Sequence, residues 1–204
     1  MNRVAVILFG AVGVLVLTSL TFVVVPYAMF DAIPPEAKLS PYTEAQSRGR
    51  EVYASLGCVY CHTQQPRDPA YAPDGQRGWG RASTPGDYAY DTPHLLGTMR
   101  TGPDLFNIGA RQQSEQWQLA HLYNPRAVVP GSIMPSYRFL FDVKASASAK
   151  DVVVNVPREF APAGGVVVAK ADAVALAQYL LGLDHTYASQ MMEPARPAEE
   201  ASRE

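Results

Sequence analysis

The segment Gly57–His62 reads GCVYCH and contains both cysteines of the 204-residue chain, Cys58 and Cys61. A disulfide between thiols so close in sequence would close a very short loop and would restrict the unfolded chain little. The number and spacing of the cysteines therefore exclude a disulfide-stabilised secreted scaffold. Residues three apart in a helical turn lie on one face, so both thiols can reach one flat ligand while His62 presents its imidazole.

The pattern Cys-x-x-Cys-His is typical of covalent attachment of a c-type haem. We expect Cys58 and Cys61 to form thioether bonds to the haem and His62 to be the proximal axial ligand of its iron. A redox-active dithiol would require a βαβ pattern, which is absent, and a structural zinc site would require two further ligands. The remaining histidines show no paired spacing: His94, His121 and His185. The predicted cofactor is one covalently bound haem c.

A closed haem iron also needs a second axial ligand, for which Met134 is the strongest candidate. Pro130, Gly131 and Pro135 surround it in the sequence, and a stiffened backbone can hold a thioether in place at low entropic cost. Met99 is the main alternative, and the other candidates are His94, His121, His185, Met191 and Met192. A His/Met pair raises the reduction potential and leaves no open coordination site, which favours electron transfer over substrate chemistry.

The surroundings of the haem are predicted from the segment RTGPDLFNIGAR. A metal-bound histidine usually donates its other ring N–H to an acceptor, and the carbonyl of Pro103 is the candidate partner of His62. Arginine binds carboxylates bidentately, so arginines could pair with the haem propionates, although a solvated surface position is the usual one. Arg100 and Arg111 flank the Gly-Pro pair and are the first candidates. The full set is Arg67, Arg81, Arg100, Arg111 and Arg126.

The N-terminal segment Val4–Val25 contains 22 residues without a charge. As a helix rising about 1.5 Å per residue it would be roughly 33 Å long, enough to cross a hydrocarbon core of about 30 Å. A cleaved signal peptide would have a shorter apolar region and a cleavage site of small residues, and no such site follows Val25. We therefore predict a retained transmembrane anchor at residues 1–27, which ends at Pro26 and Tyr27.

The charges around the anchor predict its orientation. Arg3 precedes the apolar segment, whereas Asp31 and Glu36 are the first charged residues after it. This asymmetry places the N-terminus inside and the rest of the chain outside the cytoplasm. The net charge of −2 is spread along the chain without a basic block, which argues against a nucleic-acid partner.

Beyond the anchor we predict a proline-rich linker at 28–42, a single domain at 43–184 and a disordered tail at 185–204. The domain contains two insertions. Residues 64–98 are rich in Pro, Gly, Asp and Tyr and predict a long ordered loop. Residues 141–169 contain two short β-branched runs and predict a small β-hairpin.

The regular elements of the domain are predicted to be mainly α-helical. Thr43 and Gln46 form a capping-box pattern that predicts a helix from about Glu44 to Leu56. Ser114 as the N-cap and Pro125 as the stop signal predict a second helix. The run KADAVALAQYLLGL has apolar residues at helical spacing and predicts the last one.

The order of these motifs resembles that of class I cytochromes c. GREVYASLGCVYCH is followed by RTGPDLFNIGAR, by the pair MP and by a final amphipathic helix. In that family the Gly-Pro pair supplies the proline carbonyl to the proximal histidine. The first and last helices of the domain cross through a small residue and aromatic residues. The resemblance implies these roles for Gly49, Tyr53 and Tyr179.

A narrower resemblance involves the strings PYTEAQSRGREVYASLGCVYCHTQQPR, GDYAYDTPHLLGTMRTGPDL and HLYNPRAVVPGSIMPSYRFL. These are similar to the mono-haem, membrane-anchored subunit of cbb3-type cytochrome c oxidases. The resemblance implies an electron-transfer subunit without a catalytic site, held by a single span in the bacterial inner membrane with its haem domain on the periplasmic side. Its partners would be a catalytic haem–copper subunit, other oxidase subunits and a di-haem or soluble cytochrome c donor.

Three alternative functions stay open at this point. The chain could be the haem c subunit of a nitric oxide reductase, or a free-standing anchored cytochrome that carries electrons to several partners. An enzymatic or gas-sensing haem would require an open axial position. The copper-bearing type of oxidase subunit II is excluded, because the two cysteines do not have the Cys-x₃-Cys spacing of a dinuclear copper centre.

Overall fold

The N-terminal helix is longer than the apolar segment. The computed structural model describes residues 2–31, 33–190 and 192. Helix α1 (Arg3–Ser19) continues through a π-helical segment (Leu20–Val24) into α2 (Val25–Asp31). Among the described residues, one helix is long and apolar enough to cross a membrane, Arg3–Met29, and none of its most apolar window is buried.

The helix continues past the predicted anchor boundary at residue 27 and ends at Asp31. Pro26 lies inside this continuous helix, where its missing N–H removes one of the hydrogen bonds of the backbone. The π-helical segment directly before it changes the hydrogen-bonding pattern of the backbone, which is a common way for a helix to accommodate a local irregularity. The predicted linker at 28–42 is therefore helical in its first residues.

The chain forms two compact units. The first consists of Met1–Leu39, Thr84–Asp91 and Ser189–Glu204, and the second of Ser40–Ser83 and Thr92–Ala188. In the first unit, the buried carboxylate of Glu36 accepts hydrogen bonds from the hydroxyls of Thr84 (2.8 Å) and Ser189 (2.5 Å) and from the amide of Gln190 (2.9 Å). One side chain thus ties together three segments that are distant in sequence.

The second unit is organised by two crossing helices, α3 (Glu44–Ser55) and α6 (Ala171–Gly182). A Cβ at Gly49 would overlap the carbonyl oxygen of Ala175 and lie 2.7 Å from Cβ of Tyr179. The rings of Tyr53 and Tyr179 pack with their centroids 5.6 Å apart. The predicted crossing through Gly49, Tyr53 and Tyr179 is therefore confirmed.

The two shorter helices of this unit are α4 (Ile108–Arg111) and α5 (Glu115–Tyr123). The predicted caps are confirmed: Thr43 and Gln46 form the capping box of α3, and the Ser114 side chain accepts from the amide of Trp117 at the start of α5. Leu119 of α5 and Leu176 of α6 are almost completely buried. The helices thus share one apolar core, as their sequence patterns indicate.

The 141–169 segment contains a three-stranded antiparallel sheet with strand order β1–β3–β2. Its strands are β1 (Phe141–Lys144), β2 (Val152–Val153) and β3 (Val166–Ala169). Pairing of β2 with β3 confirms the predicted hairpin. Strand β1, which pairs Phe141 with Ala169, was not predicted. Its sequence FDVK is short and half charged, so periodicity alone does not identify it.

The predicted start of the disordered tail at residue 185 is too early. His185 is 6% exposed, its Nδ1 lies 2.8 Å from the carbonyl oxygen of Phe106, and its ring stacks on that of Phe106. Ser189 is also buried. Aromatic stacking and side-chain hydrogen bonds order this stretch, although it has few aliphatic residues. The rest of the predicted tail, residue 191 and residues 193–204, lies outside the described residues.

Candidate haem-binding site

The Cys-x-x-Cys-His motif lies in a tight turn directly after α3. Gly57 has a φ of +72°, and a 3₁₀ turn (Cys58–Tyr60) follows it. The amide of His62 donates to the carbonyl of Cys58 at 3.0 Å. A left-handed residue commonly ends a helix and is most often glycine. The turn buries Cys58 and exposes Cys61, and both residues line the same cavity as His62.

The His62 ring is fixed by the backbone of the segment that contains Gly102 and Pro103. Nδ1 of His62 lies 2.8 Å from the carbonyl oxygen of Pro103, which confirms the predicted hydrogen bond. A Cβ at Gly102 would overlap the imidazole and lie 2.7 Å from its Nδ1. With Nδ1 donating to the carbonyl, Nε2 is the nitrogen that can bind a metal ion. Burial lowers the pKa of His62, which favours the neutral, metal-binding form.

A cavity of about 400 Å³ lies in front of these residues. Its walls include Met134, together with apolar residues from four segments of the chain: Leu105, Ile108, Leu122, Val129, Ile133, Leu176 and Leu180. Pockets of about 300–1,000 Å³ with apolar walls and a few polar groups are typical of cofactor sites. Met99, the alternative axial ligand, is 59% exposed and is not among the lining residues. The structure therefore brings together His62 and Met134, not His62 and Met99.

Met134 lies on a loop with a defined turn. The amide of Ser132 donates to the carbonyl of Val129 at 3.1 Å, and Gly131 between them has a φ of +78°. Pro130 followed by a glycine with positive φ is typical of a type II turn. The loop closes where the amide of Tyr137 donates to the carbonyl of Leu122 at 2.9 Å.

Cys58 is held in a protected environment. Burial raises the pKa of its thiol to about 11, although a hydrogen bond with the hydroxyl of Tyr137 opposes the shift. Because the thiolate is the reactive form in thiol redox chemistry, a thiol with this pKa is a poor redox nucleophile at neutral pH. Cys58 therefore does not have the properties of the activated cysteine in a redox dithiol.

Arg100 is placed differently from the prediction that it pairs with the haem. Its guanidinium is within 2.7 Å of the buried carboxylate of Asp74, lies over the ring of Trp79 and donates from Nε to the hydroxyl of Thr63 at 2.9 Å. Neither Arg100 nor Arg111 is among the residues that line the cavity. Arg111 donates instead to the backbone carbonyl of Asp104, and burial lowers its pKa. Arg100 thus fastens the 64–98 loop to the residue that follows His62.

Two further residues line the cavity: His121, which the sequence offers as one of the lesser candidates for the second axial ligand, and Trp117, which it predicts to be a packing residue. They lie on one face of α5 and stack with ring centroids 4.7 Å apart, and both line the cavity. Nδ1 of His121 is buried without a hydrogen-bond partner, and burial lowers the pKa of His121 to about 4. Their i, i+4 spacing was the available signal, but it does not distinguish a cavity wall from an ordinary core face.

The residues that line the cavity fit a c-type haem. They offer two thiols, the imidazoles of His62 and His121 and a thioether sulfur around a mainly apolar space, and the backbone at Gly102 lies directly against the His62 ring. Soft sulfur and imidazole ligands suit iron in haem. Within the described part of the chain, no three His, Cys, Asp or Glu side chains form a metal-binding group, so a four-ligand zinc site has no support.

Comparison with known protein families gives one match. The family described as "Cytochrome C oxidase, mono-heme subunit/FixO" matches residues 1–196. The match includes the apolar N-terminal helix and all the residues that line the cavity. No curated protein sequence matches the chain.

Proposed function

The chain belongs to the mono-haem subunit family of cytochrome c oxidases, and on that basis we propose that it passes single electrons to the catalytic subunit of a cbb3-type oxidase. Membership of the family implies one haem and other oxidase subunits as partners. The proposal adds four points to this: covalent attachment of the haem, the identity of its ligands, the direction of electron flow and the catalytic partner.

The observation that carries the proposal is the presence of His62 and Met134 in the walls of one cavity beside Cys58 and Cys61. In the proposed arrangement Cys58 and Cys61 would hold a haem through thioether bonds, and His62 Nε2 and the Met134 sulfur would bind its iron. The haem would supply one-electron oxidation and reduction of its iron. Occupation of both axial positions by side chains excludes substrate from the iron, as electron transfer requires.

Each residue around His62 has a definable part in this arrangement. The Pro103 carbonyl holds the proton on Nδ1 and thereby makes Nε2 the donor atom. Gly102 allows the backbone to lie against the imidazole, which limits ring rotation. The apolar walls exclude water, and a low-polarity environment around a His/Met haem favours the reduced, less charged state.

Electrons would enter or leave where the cavity wall reaches solvent. Cys61 is exposed, Tyr60 beside it in the sequence is 73% exposed, and Ile133 in the wall of the same cavity as Cys61 is 78% exposed. Large apolar side chains at a surface are typical of contacts with other proteins when they occur together. This side of the second unit is our proposed contact with the redox partners, a catalytic haem–copper subunit and a di-haem or soluble cytochrome c donor.

The Arg3–Met29 helix is the proposed single membrane span. In the proposed topology it holds the protein in the bacterial inner membrane, with the haem domain on the periplasmic side, as the flanking charges favour. A tether of this kind raises the effective concentration of the electron carrier at its membrane partner. The segment 141–169 has no assigned role in electron transfer.

The proposal is tested by purifying the complex from its native membrane in mild detergent. We expect the chain to copurify with a haem–copper catalytic subunit, to retain haem after denaturation and to be needed for oxygen uptake. Purification as a single protein, with oxygen uptake unaffected by its deletion, would contradict the proposal. Consumption of nitric oxide instead of oxygen by the purified complex would assign it to a nitric oxide reductase.

The ligand assignment has its own test. We expect Met134→Ala to keep its covalent haem but to lose the weak near-red absorbance of methionine-ligated ferric haem. Met99→Ala is the matched control and should keep that absorbance, because Met99 is exposed and does not line the cavity. Persistence of the band in Met134→Ala and its loss in Met99→Ala would reverse the assignment.

A further inference from the structure

Arg126 makes contacts that the sequence does not suggest. The sequence offers it as a partner of haem carboxylates, but it is not among the residues that line the cavity. Its Nη1 instead donates to two backbone carbonyls, those of Ser132 at 3.0 Å and Met134 at 3.3 Å. We propose that Arg126 is a positioning residue that holds the loop bearing the axial methionine closed. This inference rests on the proposed ligation of haem iron by Met134.

The position of Arg126 within the loop explains its reach. Asn124, directly after α5, caps a 3₁₀ turn (Pro125–Ala127) by accepting from the amide of Arg126 at 3.3 Å. That turn fixes the start of the loop, and the turn around Gly131 reverses the chain direction. The Arg126 side chain then connects the first arm of the loop to the arm that contains Met134.

Both backbone polar groups of Met134 bond within this loop. Its amide donates to the hydroxyl of Ser132 at 3.3 Å, and its carbonyl accepts from Arg126. Pro135 follows and has no N–H to contribute. A guanidinium is planar, permanently charged and rich in donors, so a single nitrogen can serve two carbonyls that point to the same place. The backbone position of Met134 is therefore defined by the hydrogen bonds of three side chains, those of Asn124, Arg126 and Ser132.

The energetic consequence is a shift between closed and open forms of the loop. A methionine sulfur is a neutral ligand, and an added ligand such as imidazole competes with it for the iron whenever the loop is open. The apparent affinity of a competing ligand scales with the population of the open form. Arg126 is exposed, so its two hydrogen bonds compete with water and each contributes only modestly to the closed form. We expect the loss of both to raise the population of the open form about tenfold.

The experiment uses the full-length protein with haem attached, in detergent. The variants are Arg126→Gln, which keeps hydrogen-bonding capacity but loses the charge and the fork, and Arg158→Gln as the control. Arg158 is also exposed and is not a cavity residue, so the control removes the same charge. The measurements are the near-red methionine band of the ferric protein, the Kd for added imidazole and the haem content by mass.

We expect Arg126→Gln to retain haem, to show a weaker methionine band and to bind imidazole about tenfold more tightly than the wild type. Arg158→Gln should stay within about twofold of the wild type, as is usual for a surface substitution. A general structural defect would lower haem content or unfolding midpoint without this selective change in ligand competition. Equal imidazole affinities in Arg126→Gln and Arg158→Gln would overturn the inference.

Two further outcomes separate this inference from the proposed function. If Arg126→Gln fails to retain haem, the experiment is repeated with Arg126→Lys. An imidazole affinity of Arg126→Lys between those of the wild type and Met134→Ala supports the inference. An affinity equal to that of the wild type overturns the inference. A wild-type protein without a methionine band overturns both proposals. A clear effect at Arg126 in a protein that does not copurify with an oxidase supports the inference and contradicts only the proposed partner.

Discussion

The two sides of the cavity hold their proposed ligands in different ways. His62 is held by backbone: its ring donates to the Pro103 carbonyl at 2.8 Å and lies directly against Gly102. Met134 is held by a loop whose closing contacts come from the exposed side chain of Arg126. A ligand confined by steric contact cannot leave without a rearrangement of the fold, whereas a ligand on a hydrogen-bonded loop can leave by local opening.

The support behind each side follows the same division. Behind His62, the fully buried carboxylate of Asp104 accepts from the Thr63 hydroxyl at 2.6 Å and from the Gln65 amide at 2.8 Å. Buried polar networks with satisfied partners are rigid. The Met134 loop is held instead by a type II turn and by hydrogen bonds from the exposed side chain of Arg126. We therefore expect substitutions on the His62 side to affect folding and haem attachment, and substitutions in the loop to affect ligation with only a small loss of stability.

The largest effect is expected for Gly102→Ala. The added Cβ would overlap the His62 ring, whose Nδ1 is held by the Pro103 carbonyl. We expect destabilisation by more than about 3 kcal/mol, at the upper end of overpacking effects, together with loss of covalent haem. Urea unfolding and haem staining of the denatured protein measure these two quantities. A stable Gly102→Ala protein with normal haem content would show that the His62 side is not sterically fixed.

A smaller loss is expected for Arg100→Met. The substitution leaves the carboxylate of Asp74 buried without the cation that now lies 2.7 Å away, and removing one partner of a buried ion pair costs about 3 kcal/mol. We expect about 2–3 kcal/mol here, because Arg100 keeps some solvent contact. Arg77→Met is the matched control: Arg77 also lies over the Trp79 ring, at 5.0 Å, but is exposed. Equal losses in the two variants would mean that stacking on Trp79, not the ion pair, supports the loop.

Gly131→Ala tests the other side with the same chemical change as Gly102→Ala. No atom lies within 4 Å of a Cβ at Gly131, but its φ is +78°. The expected loss of unfolding free energy is therefore only the conformational strain of about 1 kcal/mol. We also expect a weaker methionine band with unchanged haem content, measured by absorbance and mass. A loss as large as that of Gly102→Ala would remove the distinction between the two sides.

The helices and the His62 contact could be predicted because short sequence signals determine them. Thr43 with Gln46 specifies the start of α3 through its own hydrogen bonds. The Gly-Pro pair specifies the partner of His62 because a metal-binding histidine needs a second-shell acceptor. In both cases the contact is determined by a short sequence motif, so the rest of the fold has little influence on it.

The arginines could not be assigned in the same way. The sequence suggests both Arg100 and Arg126 as partners of haem carboxylates. In the structure, Arg100 forms an ion pair with Asp74, and Arg126 donates hydrogen bonds to the Met134 loop. A long cationic side chain can reach many acceptors, so its partner depends on the path of loops that have no sequence periodicity. His185 shows the same limit, because its stacking on Phe106 joins segments about 80 residues apart in sequence, a separation over which local patterns carry no information.

The smallest effect is expected from acid at Glu36, whose carboxylate, like the guanidinium of Arg126, holds segments of the chain through side-chain hydrogen bonds. Burial raises the pKa of Glu36, but its bonds with Ser189, Gln190 and Thr84 outweigh this and lower it below the usual 4.5. A carboxylate with a lowered folded-state pKa stabilises the native state above its unfolded pKa, and this contribution is lost as pH falls through the folded-state value. Amide exchange at Gln190, corrected for intrinsic pH dependence, should therefore accelerate below pH 4.5, whereas Glu36→Gln should show fast exchange at every pH. Exchange in Glu36→Gln as slow as in the wild type at neutral pH would show that hydrogen bonds from one side chain do not hold such a segment closed. That result would also count against Arg126 as the positioning residue of the Met134 loop.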